Sequence, residues 1–151
     1  MSPRKRREDR YWECRRALRL RPIVPGTNLE EAVREYMIEH LKLSDSFMDS
    51  IGPFSARRIP FGPAAKVKNE VLVPYQSTDV RDAVKSAARN LAGKGSDFGV
   101  RLEVPDHLKS AMKALQAMSF EIKQKYPSAR RNVLFDDESQ DLVLDLSLIH
   151  I

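Results

Sequence analysis

Strict alternation of apolar and polar residues begins at Ala17, where Leu18, Leu20 and Pro22 fall on one side and Arg19 and Arg21 on the other. This period of two predicts a strand with one buried face and one arginine face. Pro25-Gly26 is a turn signal. Thr27-Asn28-Leu29-Glu30 has the form of a capping box, in which a side-chain oxygen and a returning carboxylate satisfy free amides at a helix start. Leu29, Val33, Tyr36, Met37 and Leu41 then share one stripe, so a helix is expected that fades near Leu43. Gly52, Pro53, Pro60, Gly62 and Pro63 interrupt residues 44–63, which read as loop with a short strand around Arg57 to Pro60.

Glu70 to Tyr75 is β-branched and apolar, with Val71, Val73 and Tyr75 on one face, and Pro74, which cannot donate to a ladder, marks its end or an unpaired position. Ser77-Thr78-Asp79 offers three caps for a helix carrying Val80, Ala83, Val84, Ala87 and Leu91 on one side, ended by Gly93. Val100, Leu102 and Val104 alternate with Arg101 and Glu103 and predict a strand from Gly99 to Val104. The order strand, helix, strand, strand, helix, strand is that of an α+β, ferredoxin-like βαββαβ fold: an antiparallel sheet with two helices on one face and the other face free.

A third helix is expected from Pro105-Asp106 to the residue before Pro127, burying Leu108, Ala111, Met112, Leu115, Met118, Ser119 and Ile122. Lys109, Lys113, Gln116, Phe120 and Lys123 share another face. Asn132 to Phe135 and Leu142 to Leu146 flank the acidic loop Asp136 to Asp141 as a hairpin. Leu148-Ile149-His150-Ile151 stops without a closing signal and reads as the open end of a truncated chain. The domains expected are a basic arm over 1–14, flexible or helical, the sheet domain over 15–104, and a helix-plus-hairpin domain over 105–148.

Charge changes the picture because it is unevenly placed. The 151 residues carry a formal +5, yet residues 1–21 hold nine basic side chains against three acidic ones, and residues 136–151 hold five acids and no Lys or Arg. An arginine-rich arm and basic loops point to a polyanion as partner. Arg4 to Arg7 also fits a nuclear-import signal. No apolar run is long enough to span a bilayer and the first residues are charged, so neither a membrane nor a secretory role is expected. Cys14 is the single cysteine, which suits a reducing compartment. His40, His107 and His150 lie far apart, and no nucleophile elbow, glycine-rich phosphate loop or acidic metal cluster occurs. The reading is therefore non-enzymatic, with no cofactor and no metal.

Several stretches resemble the RNA-binding half of the first-open-reading-frame protein of LINE-type retrotransposons. They are Leu18-Arg19-Leu20, Glu70-Val71-Leu72-Val73-Pro74-Tyr75, Val80-Arg81-Asp82-Ala83-Val84-Lys85-Ser86-Ala87-Ala88-Arg89, Val100-Arg101-Leu102-Glu103-Val104 and Arg130-Arg131-Asn132. The resemblance runs from about Arg15 to Leu146. It implies an RNA-recognition-motif domain followed by a small C-terminal domain, single-stranded RNA as ligand with single-stranded DNA second, and chaperone-like strand annealing within a retrotransposon ribonucleoprotein. On that resemblance Arg57, Arg58, Lys66 and Lys68 match the basic loop between the second and third strands, Arg101 the arginine of the fourth strand, and Arg130 and Arg131 the arginines before the final hairpin. The family's coiled coil makes it a trimer, and this chain begins at the basic stretch where such a coil would end, so self-association stays open.

RNA-recognition motifs stack bases on aromatics of the two central strands. Here those strands offer Arg19, Arg21, Val71 and Val73, with Tyr75 near the edge, so binding is expected to rest on Arg and Lys contacts to phosphate with some guanidinium stacking. The residues expected to contact nucleic acid are Arg15, Arg16, Arg19, Arg21, Arg57, Arg58, Lys66, Lys68, Arg101, Arg130 and Arg131. The competing reading of Arg19 and Arg21 is a solvated face with carboxylate partners inside the protein. Competing functions are a host RNA-recognition-motif protein and a protein-binding module whose basic arm serves localisation. The protein is expected inside the cell, in a cytoplasmic ribonucleoprotein or the nucleus.

Overall fold

The computed structural model describes residues 2–26 and 28–147. Two compact units emerge: Glu13–Glu103, and a second that combines residues up to Trp12 with those from Val104 onward. The expected chain ending at Leu148 to Ile151, and Thr27 of the expected capping box, lie outside the described residues.

The first unit is a mixed α+β structure on an antiparallel four-stranded sheet with the order β2-β3-β1-β4, formed by β1 (Ala17–Arg21), β2 (Arg57–Arg58), β3 (Val71–Pro74) and β4 (Gly99–Leu102). Register follows the hydrophobic alternation: Leu18 lies between Val73 and Leu102, and Leu20 between Val71 and Val100. A slip of one residue would turn these apolar side chains to the other face, which is why the pairing is fixed. Helix α2 (Leu29–Glu39) and helix α4 (Thr78–Ala87) supply Val33, Met37 and Val84, which together with Leu18, Leu20, Val71 and Val73 are fully buried. Asn28 caps α2 by accepting from the amide of Glu31, and Ser77 caps α4 by accepting from that of Val80. Pro74 closes β3, as its missing amide requires. Gly93 ends the turn that follows α4, at a φ of 84°.

Helix α3 (Asp45–Ile51) occupies part of the segment expected to be loop. Ser44 accepts from the amide of Phe47, Met48 and Ile51 bury one side, and Gly52 at a φ of 66° stops it. The spacing of Met48 and Ile51 carries that helix in the sequence, but the glycine and prolines just beyond obscure it. Helix α2 also ends at Glu39, short of Leu43.

The basic N-terminal segment takes the helical alternative, α1 (Pro3–Arg15), whose residues up to Trp12 belong to the second unit. Its Tyr11 is fully buried, donates to Asp137 Oδ1 at 2.7 Å and meets the ring of Phe135 edge-on. Helix α5 (Lys109–Lys125) packs on a hairpin of β5 (Arg130–Asp136) and β6 (Asp141–Ser147). Here the expected buried stripe is corrected. Leu108 is buried, but no residue of α5 is, and Met118 is 50% exposed. A two-stranded sheet covers only part of a helix face, so Ala111, Met112, Leu115, Ser119 and Ile122 are covered only in part.

Candidate nucleic-acid interface

Antiparallel pairing sets the side chains of one cross-strand row on the same face of a sheet. On the face opposite the helices that row is Arg57, Leu72, Arg19 and Arg101, taken from β2, β3, β1 and β4. Three of the expected contact residues are thereby aligned. Two buried carboxylates accompany them. Arg19 donates from Nε and Nη2 to Glu103, at 3.2 and 2.9 Å, and from Nη1 to Glu70 Oε1 at 3.2 Å. Arg101 donates to the same Glu70 from Nε and Nη2, and Arg21 Nη1 lies 3.9 Å from it.

Burial opposes the charge of Arg19, but the hydrogen bonds and negative charge of Glu103 and Glu70 outweigh it, and its pKa is raised. Arg19 is held as an internal cation, with its side chain 22% exposed, whereas that of Arg101 is 47% exposed and presents more of its guanidinium to solvent. The face thus carries a ladder of three arginines on two acids rather than a row of unpaired cations. Neither Glu70 nor Glu103 was among the expected site residues, although both sit at the alternation positions shared by Leu72 and Arg101.

A cleft of about 270 Å³ opens at the end of β1, lined by Arg21, Pro22, Lys66, Val67, Lys68, Asn69, Ser96 and Asp97. Three cations face one acid there. Local backbone explains how they meet. Ile23 donates to Asn69 O and Ile59 to Glu70 O, so both ends of the loop between β2 and β3 are tied to the sheet, and Asn69 at a φ of 56° turns Lys66 and Lys68 toward β1. The hydroxyl of Tyr36 donates to Arg21 O at 2.6 Å, anchoring the strand end, and burial pushes the phenol up to about 12. The Arg21 guanidinium lies over Gly99: a Cβ built there would stand 2.6 Å from it.

The remaining expected residues divide. Arg16 and Arg57 are exposed, as are Lys66 and Lys68. Arg58 is drawn inward, its Nη1 donating to Ile23 O at 2.7 Å. Arg15 is also internal, since its guanidinium bridges both oxygens of Asp82, which Arg81 shares. Arg130 and Arg131 belong to the second unit, where Arg130 is exposed and Arg131 half-buried. Phe61 was missed. It stands 52% exposed between Pro60 and Gly62 in the same basic loop, and its signal in the sequence was an aromatic set between a proline and a glycine.

Among the described residues, no group of His, Cys, Asp or Glu is placed to hold a metal, and no helix is long and apolar enough to cross a membrane. Compared with protein-family models and with curated protein sequences, the chain matches none.

Proposed function

We propose that this chain binds single-stranded nucleic acid, RNA in preference to DNA, as a non-enzymatic packaging and chaperone component of a LINE-type retrotransposon ribonucleoprotein. The observation that carries the reading is the cleft in which Arg21, Lys66 and Lys68 converge from a strand end and a loop far apart in sequence. Converging cations on a tied backbone suit a phosphate chain, whose bound counterions are released when the cations replace them. The sheet order β2-β3-β1-β4 and the succession βαββαβ, with α3 as an addition, support a ferredoxin-like domain of the RNA-recognition-motif kind. Phe61, exposed in the loop that also carries Lys66 and Lys68, adds a surface on which a base can stack.

The test is filter binding of a single-stranded RNA across a salt series. Neutralising about four to six phosphates gives a slope of log K against log salt of roughly −3 to −4. A slope near zero, or no binding at low salt, removes the electrostatic reading and moves the protein-binding alternative ahead.

A further inference from the structure

We propose that the outer edge of β5 is a self-association surface, occupied by β5 of a second copy of this chain running antiparallel about a two-fold axis. The sheet of the second unit has two strands, β5 and β6, so β5 pairs with β6 along one side and with no other strand among the described residues along the other. An edge strand with free amides and carbonyls is a template for another strand, and identity of the two copies makes an isologous pairing the closed solution.

The residues of β5 select that partner. Arg130-Arg131-Asn132-Val133-Leu134-Phe135-Asp136 is basic at one end, acidic at the other and apolar between. Antiparallel self-pairing centred on Val133 is the register in which the whole strand overlaps. It sets Arg130 opposite Asp136 of the second copy, twice by symmetry, with both side chains on the outer face that carries Asn132 and Leu134. It sets Arg131 opposite Phe135 of the second copy on the inner face. Opposite charges directly across a strand pair are favourable.

Two features of the unit fit this occupant. Leu134 and its cross-strand neighbour Val143 are 42% and 41% exposed on the outer face, and the two-fold makes the Leu134 side chains of the two copies diagonal neighbours. Asp136 accepts from Ser139 Oγ at 2.8 Å and from the Glu138 amide at 3.3 Å, and each carboxylate oxygen retains a lone pair for Arg130. The edge of β6 does not serve equally. Self-pairing of Asp141–Ser147 about Val143 opposes Asp141 to Asp145 twice, and about Leu144 it forms no ion pair. The proposal is independent of nucleic-acid binding, because it concerns the chain with itself.

Sedimentation equilibrium of the nuclease-treated full chain tests it. The wild type should show a concentration-dependent monomer–dimer equilibrium. Arg130→Glu alone and Asp136→Lys alone each place like charges opposite one another twice, and should weaken it by at least about tenfold. Mixing the two variants creates two complementary pairs in the heterodimer, so the mixture should associate where neither variant does alone. Should Asp136→Lys lose its fold through the turn, judged by circular dichroism, Val133→Cys provides the second reading. On the two-fold axis the two Cα atoms lie at an antiparallel pair distance of about 4.5–5.5 Å, within disulfide range, so mild oxidation should yield a covalent dimer. A wild-type chain that stays monomeric, folded variants that associate as the wild type does, or a Val133→Cys variant that resists cross-linking overturns the proposal.

Discussion

Arg101 holds the buried carboxylate of Glu70 through two hydrogen bonds of 2.7 Å, Nε to Oε2 and Nη2 to Oε1. Glu70 is 3% exposed, so its charge is tolerated only because Arg101, Arg19 and the more distant Arg21 surround it. The same acid that stabilises this face subtracts from its positive potential. Glu70→Gln should therefore move stability and binding in opposite directions. Unfolding by denaturant should show a loss of about 1–3 kcal/mol, because two guanidiniums lose a charged acceptor. RNA affinity should rise, with the salt slope steeper by roughly 0.7 as one released arginine reaches a phosphate. An unchanged slope would mean that the sheet arginines meet no phosphate.

Gly99 offers a way to move Arg21 without deleting it. A Cβ at this position comes within 2.6–2.7 Å of the guanidinium, and the atoms it meets are the far end of a flexible side chain, which can swing away. Gly99→Ala should keep the fold, with a change in stability within about 1 kcal/mol. It should displace Arg21 from the cleft and weaken RNA binding in the same direction as Arg21→Ala. A melt and a binding isotherm on both variants check this, and full affinity in Gly99→Ala would detach Arg21 from the site.

The alternation of Leu18 and Leu20 with Arg19 and Arg21 made the central strand legible, because one face is buried and the period is two. Val71 and Val73, and the Val84 face of α4, were legible for the same kind of reason. What the alternation could not supply was the identity of cross-strand neighbours. Arg19 finds Glu103 and Glu70 only through the register with β4 and β3, and no local pattern joins positions 51 and 84 residues apart. Helix α3 was hidden because seven residues give too few turns for periodicity to outweigh Gly52 and Pro53. The stripe on α5 was read correctly as amphipathic but not as half-covered, since the width of the surface packed against a helix is a tertiary property. Of the expected contact residues, Arg21, Lys66 and Lys68 share the cleft, whereas Arg15 and Arg58 have internal partners that sequence spacing did not reveal.

Asp82 should govern part of the acid limb of stability. Burial pushes its carboxyl up, but hydrogen bonds from Arg15 and Arg81 and their charges outweigh that and hold it below its ordinary 3.8. A carboxyl with a folded pKa below the unfolded one binds fewer protons when folded. Its contribution is complete above the unfolded value and is lost as pH falls through the folded one. The melting temperature should fall as pH drops below about 4, and Asp82→Asn should lower it at neutral pH while shrinking that acid-induced fall. A variant with the same acid limb as the wild type would show that other carboxylates set it.

Charge and stacking in the loop between β2 and β3 can be separated by their salt dependence. Lys66 and Lys68 are exposed, so Lys66→Ala with Lys68→Ala should leave stability within about ±0.5 kcal/mol per site. Loss of two phosphate contacts should make the slope of log K against log salt shallower by up to about 1.4 for a single strand. Phe61 carries no charge. Its replacement by Ala should cost about 1–3 kcal/mol of affinity if a base stacks on it, with the slope unchanged. Arg58→Ala serves as the contrasting control: it leaves the Ile23 carbonyl without its donor, so it should lower stability by about 1 kcal/mol. Filter binding at several salt concentrations beside a thermal melt reads all of these. Equal slopes for the lysine variant and the wild type would exclude the cleft lysines from phosphate contact, and a Phe61→Ala variant that changes the slope without changing low-salt affinity would remove the stacking surface from the site.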